Sequence, residues 1–104
     1  MVMSVFWTDT ALESLEIIFE FYNLQAGKVV AKKIIKKIVE STILLETNPK
    51  SGQIEELLKN RGFEYRYIIN GNHKIIYWID GKTIKIATVF DCRQNPTKLV
   101  ILSS

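Results

Sequence analysis

The stretch EYRYIINGNHKIIYWIDGKTIKIATVFDC, residues 64–92, decides the fold. Within it, Asn70-Gly71 and Asp80-Gly81 interrupt runs rich in Ile, Tyr, Val and Trp. Asn-Gly and Asp-Gly accept the positive backbone φ of tight hairpin turns, while β-branched and aromatic residues favour strands, so the stretch is predicted to form a three-stranded antiparallel meander. Side chains on a strand alternate between its faces. One apolar face is therefore expected to hold Tyr65, Tyr67, Ile69, Ile75, Tyr77, Ile79, Ile84, Ile86 and Phe90, and that face must be covered. The opposite parity holds Arg66, Ile68, Lys74, Ile76, Trp78, Lys85, Asp91 and Arg93. This second set is too apolar for ordinary solvent and too cationic for a core, and it reads as a binding surface. Trp78 has a competing reading, in which it packs under the connector 53–62.

Outward from the meander, the hydrophobic period changes. Leu12, Leu15, Ile18, Phe19 and Tyr22 recur at three- and four-residue spacings, as do Val30, Ile34, Ile38 and Leu45. That spacing predicts two amphipathic helices. Thr8 is suited to the first N-cap, with Asp9 and Glu13 placed to favour the helix dipole, and Thr10 with Glu13 offers a competing capping box. Gly27 breaks the pattern between the helices, and Asn48-Pro49 stops the second. Lys50-Ser51-Gly52 leads into a connector whose one expected element is a helical turn over Glu55 to Lys59. At the other end, the short apolar segment from Val2 to Phe6 is expected to join the sheet as a first strand. The resulting order is β-α-α-β-β-β, an α+β fold. It is expected as a two-layer sandwich, with an antiparallel helical hairpin on an antiparallel sheet.

Composition bounds the rest. The chain has 104 residues and 47% hydrophobic content, enough to bury one core, so a single domain over 1–104 is expected. It lacks an uninterrupted apolar run of the roughly 18–20 residues that a membrane span requires, and no charged segment precedes an apolar one at its start; the expected location is cytoplasmic. Its one cysteine, Cys92, cannot form an internal disulfide and is expected as a small packed or half-buried residue. With one histidine and one cysteine, the usual zinc site is out of reach, and neither a metal nor a cofactor is expected. The net charge of +3 is concentrated in Lys28, Lys32, Lys33, Lys36 and Lys37, a pattern that also describes a solvated helix face. It permits direct nucleic-acid contact without calling for it.

Several short motifs, in order along nearly the whole chain, resemble the RelE/ParE superfamily of toxins, which includes the plasmid stabilisation family. They are Trp7-Thr8 with Ala11 and Leu15, Ala31 in the second helix, and Pro49-x-x-Gly52. Then follow Tyr65-Arg66, the strand His73-Lys74-Ile75-Ile76-Tyr77, and Asp91-x-Arg93-x-Asn95-Pro96. The resemblance implies a growth-inhibiting toxin of a bacterial type II toxin–antitoxin module, held inactive by an antitoxin whose extended or helical tail wraps it. Ile68, Ile76, Trp78 and Arg93 are the expected partner-binding residues, on the parity argument above.

The superfamily divides by target into ribosome-dependent messenger RNA endonucleases and inhibitors of DNA gyrase that are not nucleases. RNA cleavage through a ribose 2′-hydroxyl requires activation of that hydroxyl, charge stabilisation at the phosphate and protonation of the leaving oxygen. By position, Arg66, Lys74 and Arg93 resemble basic residues of the RelE-type site and are the catalytic candidates on that reading, all expected on one face. The chain also departs from that pattern. Ile68 stands where a second basic residue is common, the tail beyond the last strand has neither Tyr nor His, and His73 sits at a turn end on the packed parity. The incomplete acid–base set and the Pro49-x-x-Gly52 connector favour ParE-like inhibition of gyrase by binding, with no enzymatic activity. The alternatives are a RelE-like endoribonuclease acting on messenger RNA in the ribosome and, from a different class, a non-toxic protein-binding module.

Overall fold

A computed structural model describes residues 3–92. The elements run β1 (Ser4–Trp7), α1 (Asp9–Ala26), α2 (Lys28–Ile43), β2 (Gln53–Ile54), β3 (Arg66–Asn70), β4 (His73–Asp80) and β5 (Thr83–Asp91). Two 3-10 turns, Leu44–Glu46 and Glu56–Leu58, lie between α2 and β3. The fold is α+β, as expected, with a helical hairpin on one face of a five-stranded sheet ordered β1-β5-β4-β3-β2.

Local chemistry sets the helix boundaries. Thr8 caps α1 by accepting from the Ala11 amide, and its hydroxyl also donates to the Ile86 carbonyl at 2.7 Å, so one side chain starts the helix and ties it to β5. Gly27 separates the helices with φ +94°, a region that costs an L side chain energy, and its amide still donates to the Asn23 carbonyl. Ala11, Leu15, Ile18 and Tyr22 on α1, with Ile34, Ile35 and Ile38 on α2, pack into the core against the sheet, and Ala31 on α2 is buried as well. The core beneath them is built from Ile75, Tyr77, Ile84, Ile86 and Val89. Each such aliphatic side chain contributes about 1.5–3 kcal/mol by burial.

The sheet is mixed rather than antiparallel. β1 pairs in parallel with β5, from Ser4↔Thr83 to Trp7↔Ile86, while the other neighbours are antiparallel. Strands joined by tight turns must reverse direction, but β1 is separated from β5 by the whole chain and adds to its free edge in the direction that leads into α1.

Register corrects the expected faces of the meander. Both hairpins turn over two residues, pairing Asn70 with His73 and Asp80 with Thr83. A two-residue turn pairs an even-numbered residue with an odd-numbered one, so parity changes sides at each hairpin. Arg66 and Ile68 consequently share the helix-facing side with Tyr77 and Ile75, whereas Tyr67 and Ile69 lie with Ile76 and Lys74 on the other. A β-bulge adds a second correction. Tyr77 faces Ile86 but Ile76 faces Thr88, leaving Ala87 as the extra residue. Beyond the bulge Val89 and Asp91 join the helix side, and Phe90 moves to the opposite face beside Lys74.

That opposite face is not open. The segment after β2 crosses to it and packs Leu58 and Tyr65 onto Ile76 and Ala87, with Trp78 and Phe90 alongside. Ile76 is 0% exposed as a result. Trp78 comes near its competing reading, half-buried against the cluster that holds Leu58, but its ring partners, Phe63 stacked at 5.1 Å and Tyr65 edge-on at 5.6 Å, lie just beyond the connector 53–62.

Candidate functional site

Of the three cations singled out in the sequence, Arg66 and Lys74 fall on opposite sides of the sheet. Arg93 lies outside the described residues, as do Asn95 and Pro96. Arg66, at the start of β3, points to the helix-facing side and donates from Nη1 to the carbonyls of Gly52 at 2.8 Å and Lys50 at 3.3 Å. Its Nε and Nη2 meet Glu64 at 3.2 and 3.0 Å. Beside it, the Tyr77 hydroxyl donates to the Pro49 carbonyl at 2.6 Å and accepts from the Gly52 amide at 3.0 Å. Burial raises the Tyr77 phenol above its ordinary value of 10.0, and the Gly52 amide and the Arg66 charge pull it partly back. Gly52 permits this close approach because a Cβ there would stand 2.5 Å from the Tyr77 hydroxyl. Arg66 and Tyr77 therefore clamp the Pro49-x-x-Gly52 segment, which explains physically why these four positions belong together.

Lys74, on the opposite side, makes an ion pair with Glu55 and lies 4.0 Å from the centre of the Tyr67 ring. Glu55 is 3% exposed, and its other carboxylate oxygen accepts from the Leu57 amide at 3.3 Å, capping the second 3-10 turn. Sequence reasoning missed Glu55 as a partner. Its local signal was only the helical turn expected at Glu55 to Lys59, and nothing in the spacing pointed to Lys74. Glu55 also lines a shallow pocket of about 350 Å³, with Ile54, Lys59, Phe63, Glu64 and Tyr65.

The remaining expectations divide. His73 is buried on the helix side, opposite Asp91 in register, with its ring edge-on to Tyr22 at 5.9 Å. Ile68 is half-buried against the helix-side core and Ile76 lies beneath the connector, so neither forms the exposed patch expected beside the cations. Lys85 pairs with Asp80 at 3.0 Å at the surface. Cys92 is exposed rather than packed. Among the described residues no group of three or more His, Cys, Asp or Glu side chains is gathered as metal ligands, and no helix is long and apolar enough to cross a membrane.

The most exposed apolar surface lies instead on the helices. Ile17, Phe21 and Leu24 recur at i, i+4 and i+7 on α1 and are 69%, 51% and 86% exposed. The hairpin is also polarised. α1 carries Asp9, Glu13, Glu16 and Glu20 with no Lys or Arg, whereas α2 carries five lysines and one acid, Glu40.

The model of a family described as the ParE toxin of the type II toxin–antitoxin system parDE matches residues 5–96. Among solved structures, the chain is similar to one from the chromosomal ParDE toxin–antitoxin system of P. aeruginosa, at 25% identity and a TM-score of 0.71, covering 86% of this chain and 96% of that one. It shares its fold with one from the toxin–antitoxin complex RelBE2 of Mycobacterium tuberculosis, at 18% identity and a TM-score of 0.62, covering 88% and 99%. No curated protein sequence matches.

Proposed function

The chain belongs to the ParE toxin family of type II toxin–antitoxin systems, and from that premise we propose that it inhibits growth in the cytoplasm by binding DNA gyrase, without cutting RNA, and that a cognate antitoxin holds it inactive. The observation that carries the choice of target is the separation of Arg66 from Lys74. Cleavage at a ribose 2′-hydroxyl requires cations and an acid–base group to converge on one phosphate. Here the two cations stand on opposite sides of the sheet. Arg66 is engaged with two main-chain carbonyls and Glu64, and Lys74 with a carboxylate that is itself almost wholly enclosed. Both cations organise the connector between α2 and β3, which supports a toxin that works by surface contact. An antitoxin partner is supported by the two similar structures, both from toxin–antitoxin systems.

The test is a pulse-labelling time course after inducing the chain alone, following thymidine and methionine incorporation in parallel over the first minutes. Early loss of thymidine incorporation is expected. Early loss of methionine incorporation would move the target to translation and overturn the gyrase reading. Normal growth without an antitoxin would overturn toxicity itself.

A further inference from the structure

The outer side of α2 is a field of unpaired cations. Lys28, Lys32, Lys33, Lys36 and Lys37 spread over about half of the helix circumference and about 14 Å of its length, turned away from the side on which Ile34, Ile35 and Ile38 pack into the core. From residue 31 to residue 39 the exposed positions are Lys32, Lys33, Lys36 and Lys37 alone, and the exposed apolar Val29 and Ile43 lie toward the ends of the helix, outside that stretch. None of the five lysines makes an ion pair among the described residues. The salt bridges there take their cations from Arg66, Lys74 and Lys85, all on the sheet.

This arrangement weakens the helix that carries it. Lys28 with Lys32, Lys32 with Lys36 and Lys33 with Lys37 stand four residues apart, where like charges on a helix repel. The first turn of α2 holds no acid, so the positive end of the helix dipole meets further positive charge. α1 does the reverse, with Asp9 in its first turn and Glu13, Glu16 and Glu20 exposed along it. A charge pattern that costs the fold stability and forms no ion pair within it is accounted for by an anionic partner. The chemistry of the face distinguishes which. The core of a protein interface is built on apolar or aromatic anchors, and between residues 31 and 39 the exposed face has none. A phosphate backbone requires no such anchor, and about 14 Å of DNA duplex carries about eight phosphates, more than five cations need. The acidic flank of α1 is repelled by the same backbone, which leaves α2 as the side of the hairpin that approaches it.

We propose that the lysine face of α2 seats on the phosphate backbone of the duplex DNA that gyrase holds, so that the chain contacts the enzyme and its DNA together. The proposal rests on the gyrase reading above and adds the second surface to it. The test measures binding of the purified chain to a short duplex DNA across a salt series, and inhibition of supercoiling by purified gyrase. The unaltered chain should bind the duplex without sequence preference, its affinity falling with salt at a log–log slope of about −4. Lys32→Gln, Lys33→Gln and Lys36→Gln combined should lower that affinity about tenfold or more, make the slope shallower by about 3 and weaken inhibition, while binding to gyrase free of DNA is unchanged. The same variant should unfold no earlier than the unaltered chain, because it relieves repulsion between lysines; a lower unfolding midpoint would make these lysines structural and overturn the proposal. Lys50→Gln, Lys59→Gln and Lys82→Gln combined remove equal charge from exposed sites elsewhere and should leave DNA affinity nearly unchanged. An equal loss in both variants would reduce the binding to bulk charge and overturn the face. Weaker binding of the α2 variant to DNA-free gyrase, or tighter binding of the unaltered chain to a duplex RNA, would give the face another occupant. No duplex binding at low salt, with supercoiling still inhibited, would overturn the proposal and leave the gyrase reading intact; duplex binding without inhibition would overturn the gyrase reading and, with it, the DNA's proposed setting.

Discussion

The two faces of the sheet are held by different physics. On the helix side, apolar residues at regular spacings on α1 and α2 meet the alternating Ile, Tyr and Val side chains of β4 and β5, so periodic patterns in four elements agree on one core. On the other side the cover is irregular: Leu58, Tyr65, Phe63 and Trp78 come from a connector and a strand, and an ion pair between Lys74 and Glu55 stands at its margin. The difference teaches where the connector gains its order. Its incoming leg is clamped by Arg66 and Tyr77 on the helix side, it passes the sheet edge as β2, and its outgoing leg is capped by Glu55 on the far side. Two cations that the sequence groups as one site thus anchor the two ends of one crossing.

The strongest way to break this comparison is Tyr77→Ala. Tyr77 is fully buried and its hydroxyl holds the connector, so the substitution should cost about 3–5 kcal/mol in urea unfolding. A loss near zero would mean that the clamp contributes nothing. Lys74→Met comes next, with an expected cost of about 3 kcal/mol, because it leaves the Glu55 carboxylate buried without its partner. Adding Glu55→Leu should restore much of that loss, and a double-mutant cycle that shows no coupling would dissolve the pair as an anchor.

A smaller effect is expected on the alkaline side. Burial raises the phenols of Tyr77 and Tyr65, so the native state keeps protons that the unfolded chain releases. The stability they contribute is intact below about pH 10 and is lost as pH rises through the native values. Urea midpoints should therefore fall between roughly pH 9 and 11, and more gently in Tyr77→Phe; an equal fall in both would remove Tyr77 from the effect. The smallest change is expected from Lys85→Ala, whose surface pair with Asp80 should be worth about 0–1 kcal/mol by the same denaturation measurement. A larger loss would make the outer surface as dependent on charge as its margin at Lys74.

The helices, the two hairpins and the order of the elements, apart from the short strand β2 that the connector adds to the sheet edge, were determined by the sequence alone. Thr8, Gly27, Asn70-Gly71 and Asp80-Gly81 act within a few residues of themselves, where capping, positive φ and turn geometry operate. The same local chemistry contained the register of the meander, because a two-residue turn dictates which residues face each other, and the faces of β3 follow once parity is carried across the turn. The bulge at Ala87 was decided only by the tertiary structure. So were the parallel docking of β1, the crossing of the connector and the pairing of Lys74 with Glu55. Each joins residues far apart in the chain, and each depends on which buried surface remains to be covered after the local elements form, a quantity that no short window of sequence contains.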